Sequence, residues 1–410
     1  MPGGALPQEP RTDEPSDMPM GNSVRSSYAV ALLGFLAAAA WLALNVAGTY
    51  HGHASGLFYT GSSTALPSSL GEDHTYRVSD ETGYDAQFYH LIAHDPLIQR
   101  CFSPYVDNPR LRWRRIGLPG VAALLAAGND RYVDYTYIGL QLGFVFLGVF
   151  WLSRLGWRNG RHPAWGFAFL LVPAVLVSLD RMTVDLPLAA LCIGFVLYGT
   201  PANDVHNKVP WGFYVILGSA ALVRETGILL IAAWCLHSSL RRNWRATAAG
   251  ACCAAPALVW YLYVHSAMPL DGTAWFAGYP FSGLIERTIK GIDAPIYTTW
   301  LRWAAGLEEV AIAGIWLALL ISCSLAWRRQ WGLVELTAIL FMAFSATLGK
   351  FDIWASAYAT ARTMSPLLIM LALLSLSGRG WVYTLPLLLV LPRIALQYQA
   401  QLKLALREIL

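Results

Sequence analysis

The stretch YAVALLGFLAAAAWLALNVAG, Tyr28 to Gly48, decides the fold class. About twenty residues pass without a charge, enough for a helix to span the roughly 30 Å hydrocarbon core of a bilayer. A signal-peptide core is shorter, about 7–15 residues, and follows a basic segment. Here residues 1–26 are rich in Pro, Gly, Ser and acids and show no periodicity. They read as a disordered cytoplasmic tail, and Tyr28–Gly48 as a retained span.

The rest of the chain repeats that signal. Of 410 residues, 56% are hydrophobic and only 13% are charged, with a mean hydropathy of +0.45. Soluble domains carry roughly 25% charge. Seventeen Trp and nineteen Tyr suit the aromatic belts at headgroup level. The net charge of +4 is spread over short inter-span clusters, which argues for membrane orientation and against a nucleic-acid partner. Five of six cysteines, Cys192, Cys235, Cys252, Cys253 and Cys323, lie in or beside apolar runs, and Cys101 has no neighbour to pair with. Neither a disulfide framework nor a CxxC zinc pair is present.

Apolar runs follow at about 133–153, 163–179, 184–199, 210–223, 226–239, 247–265, 306–326, 333–348, 363–377 and 381–397. With the first, they predict an all-α polytopic bundle of about 11 spans over residues 27–397. Residues 49–132 form the first outer loop, in which 116–128 is too short to cross and reads as a re-entrant piece. Residues 210–239 can be one span or two. Two short spans, with the N-terminus inside, place Arg154/Arg158/Arg161, Arg241/Arg242/Arg245 and Arg328/Arg329 together on the cytoplasmic side, as the positive-inside rule prefers. The same count puts Asp85, Arg115, Asp180, Asp185, Arg224, Glu225, Arg287 and Arg362 on the outer face. Gly283–Pro295 and the tail 398–410, with Leu402, Ala405, Leu406 and Ile409 at helical spacing, read as amphipathic interfacial helices.

Ser79–Arg115 is the most polar long segment. Tyr84, Phe88, Leu91 and Ile92 share one helical face, and Asp85, Gln87, His90 and His94 mostly the other, which predicts an amphipathic helix on the membrane. Thr82-x-x-Asp85 also reads as a capping box, so spacing leaves catalysis and capping both open for Asp85. His90 and His94 are spaced i, i+4, but HLIAH lacks the glutamate of HExxH and no third ligand stands out. Polar surface histidines and no metal are the expectation. Arg110, Arg112, Arg114 and Arg115 crowd beside Trp113 after the turn Asp107-Asn108-Pro109. They can snorkel to lipid phosphates or hold one specific phosphate bidentately. Asp180–Asp185 reads as a polar turn with Thr183 capping the next helix. Arg224-Glu225, at membrane depth, lines a cavity or forms an ion pair.

Taken in order, YDAQFYHLIAHDP (84–96), DNPRLRWRRIGLP (107–119), LDRMTVDLP (179–187), RETGILL (224–230) and AYATARTMSPLL (357–368) resemble bacterial membrane proteins of the glycosyltransferase C-fold (GT-C) superfamily. The nearest group is the mannosyltransferase-like members of cell-surface glycopolymer formation, with a fainter likeness to the GPI mannosyltransferase of the endoplasmic reticulum. The resemblance covers residues 28 to 377. It implies an inverting transfer from a polyprenyl-phosphate sugar to a glycan or lipid acceptor, on the outward face of a bacterial plasma membrane. It implies Asp85 as base and Arg115, Arg224 and Arg362 as phosphate ligands. Arg112, Asp180, Asp185, Glu225, Gln87 and His90 join them as candidate substrate contacts. The family's acid pair is often adjacent, whereas Asp80 and Glu81 stand upstream of Asp85. No cofactor is needed: a lipid phosphate leaves as an anion that arginines stabilise, so one base suffices, unlike the two carboxylates of a glycosidase. A flippase of lipid-linked sugars, or a non-catalytic subunit of a glycopolymer machine, are the rival expectations.

Overall fold

The computed structural model describes residues 20–70, 75–79, 82–200, 209–268, 279–291 and 299–409. Residues 1–19 of the expected tail, Asp80, Glu81, and the end of the expected 283–295 helix lie outside them. The described chain is helical. In order, the helices are α1 (Met20–Ala47), α2 (Ala86–His94), α3 (Pro109–Arg114), α4 (Gly117–Leu125), α5 (Asp130–Arg158), α6 (Pro173–Arg181), α7 (Asp185–Gly199), α8 (Trp211–Val223) and α9 (Ile228–Leu240). They continue with α10 (Trp244–Cys252), α11 (Ala255–Ala267), α12 (Ser282–Lys290), α13 (Thr299–Trp327), α14 (Leu333–Ala346), α15 (Phe351–Trp354), α16 (Ala357–Leu374) and α17 (Leu385–Ile409). One two-residue parallel pairing, β1 (Thr60–Gly61) with β2 (Arg77–Val78), ties the first loop together.

Six described helical segments are long and apolar enough to cross a membrane: 24–47, 130–158, 244–267, 302–327, 357–379 and 381–407. A bent pair raises the number to seven. The remaining expected spans fall on α7, α8, α9 and α14, which are apolar but shorter. Each of the eleven apolar runs is thus a helix or a broken helix. Six of them meet the length criterion alone.

Run 163–179 is not one straight span. Proline lacks the N–H and drives the residue before it out of helical geometry. Val172 accordingly sits at φ −67, ψ 129, between a 3-10 stretch (Pro163–Leu171) and α6, and the two meet at 61°. Run 210–239 breaks at Arg224, which is extended (φ −152, ψ 141) before one 3-10 turn leads into α9. Gly227 in that turn lies so close to α8 that a Cβ would sit 2.1 Å from the Ala220 carbonyl oxygen.

The expected helix in 398–410 is the end of α17, which runs from Leu385 to Ile409. Two further expectations need correcting. On α12, Arg287 does not face water. It is buried and meets Glu309 of α13 at 3.1 Å, while Ile289 points outward. α2 is not an interfacial helix with one wet face. α3, α4, α5 and the loop pack around it, and only Phe88 among its residues is not fully buried. α4 is a short helix that rests on α5 and α2 and exposes Val121, Leu124 and Leu125.

α16 is the central post. Of its span window 72% is buried inside the protein, against 44% or less for the other five. Ser356 caps it through Ala359 N, and Glu308 of α13 accepts from Ala357 N at 2.5 Å.

Gly227→Ala has no room for its methyl. It lowers the melting temperature of detergent-purified protein, by an overpacking cost of about 1–3 kcal/mol. An unchanged melting curve contradicts the close turn at Arg224.

Candidate active site

Five loops and helix ends meet at one place. The Asp107-Asn108-Pro109 turn starts α3, with Asn108 accepting from Leu111 N at 3.3 Å and Pro109 at the first position. Buried Trp113 anchors that helix by donating to the Asp95 carbonyl at 3.0 Å. The four arginines then diverge. Arg110 donates to the carbonyls of His265 and Met268, closing the C-terminus of α11. Arg114 lies over the Tyr261 ring. Arg112 and Arg115 turn toward α2.

Asp85 stands just before α2, where it makes no cap hydrogen bond to its own helix. The capping-box expectation is therefore wrong. Gln87 does the bracing instead, accepting from Gly61 N and the Thr64 hydroxyl and donating to the Thr82 carbonyl. Freed from capping, Asp85 takes Arg112 Nη2 on Oδ1 at 2.8 Å and Arg362 Nη2 on Oδ2 at 2.5 Å. Arg112 also clasps Asp107 with two bonds, at 2.9 and 2.8 Å.

The break at Arg224 supplies the far side. Arg224 pairs with Asp185 in the first turn of α7, and Arg362 Nε approaches the other Asp185 oxygen at 3.4 Å. Glu225 takes Arg115 bidentately at 2.7 and 2.6 Å. Thr183 does not cap α7. Ser178 does, accepting from Leu186 N at 3.1 Å, and Thr183 bonds Ser178.

The result is an alternating string: Asp107, Arg112, Asp85, Arg362, Asp185, Arg224. The Tyr89 hydroxyl joins it to the Arg115–Glu225 pair by accepting from Arg112 Nη1 at 3.2 Å and Arg115 Nη1 at 2.5 Å. Four arginines face four carboxylates. Within it, Arg362 Nη1 is buried with no hydrogen-bond partner among the described residues. The Asp85 side chain is 23% exposed and that of Glu225 25%. Two surface depressions, one lined by Leu125–Thr136 and one by Leu97, Pro256 and Trp260, lie elsewhere.

Of the predicted residues, Asp85, Arg112, Arg115, Arg224, Glu225, Asp185 and Arg362 come together. Asp180 lies in an adjoining patch, held by Tyr358, Gln401 and Arg181. The two patches touch through Tyr84, whose ring lies 5.9 Å from that of Tyr358 and under Arg362. Gln87 is consumed by the loop. His90 is on another face of α2, against Asp134. Sequence reading missed Asp107, taken only as a turn residue, and Tyr89. The signal for Tyr89 was its i, i+4 spacing from Asp85, which puts both on one helical face.

Burial pushes the Asp85 carboxyl up, but Arg112 and Arg362 outweigh it and hold the group well below the usual carboxylate range. Its folded value lies below its unfolded value of about 3.9, so the stability it contributes is present above that pH and is lost on further acidification.

Comparison of the chain with models of known families, with curated proteins and with solved structures finds no match.

Two outcomes follow from the pairing. Asp85→Asn lowers the melting temperature at pH 7, and the gap to wild type closes as the pH falls below about 4. Glu225→Ala strands a buried guanidinium and costs toward the lower end of ~3–5 kcal/mol, because Glu225 is a quarter exposed. Adding Arg115→Met recovers part of that loss in thermal melts. Additive losses would show that the pair is not coupled.

Proposed function

We propose that this chain is a membrane glycosyltransferase of the GT-C type, moving a sugar from a polyprenyl-phosphate donor to a glycan or lipid acceptor on the outer face of a bacterial plasma membrane. The observation that carries the reading is the state of Asp85. Each of its oxygens is held by an arginine from a different element, and one of those arginines has a buried N–H without a partner. The chemistry is an inverting displacement. The acceptor hydroxyl loses its proton to Asp85 and its oxygen bonds the anomeric carbon. The bond from that carbon to the donor phosphate breaks, and polyprenyl phosphate leaves as an anion.

A carboxylate clamped by two arginines is a weak base. The donor phosphate resolves this, because it competes for the guanidinium groups of Arg112 and Arg362. Asp85 gives up its partners and becomes more basic only when the donor is present. The charges of the string balance, so the phosphate enters by displacing a carboxylate and not by filling an excess of positive charge. The positive-inside count of the eleven-span reading supports an outward site, since it assigns Asp85, Arg115, Asp185, Arg224, Glu225 and Arg362 to that side.

A second reading, movement of lipid-linked sugars across the bilayer, is favoured by the two interrupted segments at Val172 and Arg224 that border these patches.

The test uses the full-length protein in lipid nanodiscs with a panel of polyprenyl-phosphate hexoses and oligosaccharide acceptors. Wild type releases polyprenyl phosphate with transfer of the sugar, and Asp85→Asn loses on the order of 10²–10⁴ in kcat. The acid limb of kcat lies at higher pH than that of kcat/KM, because kcat reports Asp85 with the donor bound. Transfer by Asp85→Asn at the wild-type rate removes Asp85 as base. Vesicle uptake of the donor without cleavage establishes the transport reading.

A further inference from the structure

His90 and His94 do not lie on the surface as expected. They are 1% and 7% exposed, on the face of α2 turned toward α5. Their i, i+4 spacing brings both rings to one spot, and Asp134 of α5 supplies a third donor. The three atoms form a compact triangle. His90 Nε2 to Asp134 Oδ1 is 2.7 Å, His90 Nε2 to His94 Nε2 is 3.2 Å, and His94 Nε2 to Asp134 Oδ1 is 3.6 Å. Donors at about 2.0–2.1 Å from a tetrahedral ion stand about 3.3 Å apart. The observed edges bracket that value.

The ring orientations fit the same end. Asp130 Oδ1 meets His94 Nδ1 at 2.7 Å, so a neutral His94 carries its proton on Nδ1 and points the Nε2 lone pair into the triangle. A carboxylate on the far nitrogen is the usual support of a metal-bound histidine. Asp130 is itself held by Arg100 at 2.7 Å. Phe58 stacks on His90 at 4.4 Å between ring centroids and fixes that ring. The bland alternative is a hydrogen-bonded His–His–Asp network. It leaves two imidazole nitrogens 3.2 Å apart with one proton between them, and the His94 lone pair facing a carboxylate oxygen at 3.6 Å. A cation satisfies all three atoms at once.

We infer that His90, His94 and Asp134 form a divalent-metal site of the zinc class that clamps α2 to α5. Two imidazoles and one carboxylate in a tetrahedral face suit Zn²⁺, with water at the fourth position on the side where Asp134 is partly exposed. The ion sits on the face of α2 away from Asp85 and Tyr89. Its part is to seat that helix, so these residues are positioning residues for Asp85. The metal site does not depend on the glycosyltransferase reading.

The experiment takes full-length protein, purified in detergent through a tag without histidine, stripped with a chelator and titrated with ZnCl₂. Wild type binds one equivalent and its melting temperature rises with zinc. His94→Ala and Asp134→Asn lose both effects. Asp130→Asn keeps the stoichiometry and weakens affinity about 10–100-fold, as loss of an orienting carboxylate does. Cobalt reports the ligands directly where alanine variants fail to fold: wild type with Co²⁺ gives the visible bands of a tetrahedral site, and His94→Cys adds a thiolate charge-transfer band. A wild-type protein that takes up no stoichiometric zinc, or a His94→Ala that binds it equally, overturns the site.

Discussion

The structure depends on one constraint: charged groups inside a largely apolar protein must be paired. Removing a guanidinium or carboxylate from water costs several kcal/mol even after relaxation, and only close opposite charges and hydrogen bonds offset it. The string from Asp107 to Arg224 meets that demand with partners drawn from α3, the turn before α2, α16, α7 and the α8–α9 break. No two neighbours in the string beyond Asp107 and Arg112 are close in sequence. The pairing therefore fixes how five segments sit, and it works as a tertiary lock whatever chemistry passes through it. A buried ion pair adds little net stability against an apolar replacement, so what the string supplies is register between segments more than stability.

Helix interruptions place the partners. An unbroken helix through 211–240 would satisfy its own backbone and leave Arg224 and Glu225 on its flank. The extended residue at Arg224 and the close turn at Gly227 set both side chains toward the site. Gly117, where a Cβ would stand 2.8 Å from Val223 N, lets α4 approach the same break and brings Arg115 to Glu225. An irregular backbone inside an apolar protein is tolerated where protein encloses it, and Arg224, Thr226 and Gly227 are all buried.

α2 stands between two polar systems. Its Asp85–Tyr89 face meets the arginines, and its His90–His94 face meets Asp130 and Asp134 of α5. Because the helix is rigid over nine residues, anything that draws His94 toward α5 sets the position of Asp85. A helix this short is marginal alone in water, so these outside contacts, with the packing of its apolar residues, hold it in place.

The sequence by itself determined that the chain is helical, with several helices long and apolar enough to cross a membrane. Uncharged runs of membrane length leave the backbone no alternative to internal hydrogen bonding. It also singled out most of the charged residues that converge, because ionisable groups flanking apolar runs have few places to go. The bend at Pro173 was not foreseen, though proline's missing N–H is a signal the sequence carries. What only the tertiary structure decided is partnership. The Thr82 motif suited Asp85 as a cap, yet two distant arginines claim its oxygens, since a charged guanidinium outcompetes a backbone N–H for a carboxylate. His90 and His94 looked like a pair without a third ligand, because Asp134 lies on another helix and no spacing rule links positions forty-odd residues apart. Periodicity reports one element's own face. Which charge meets which is settled only when the faces are brought together.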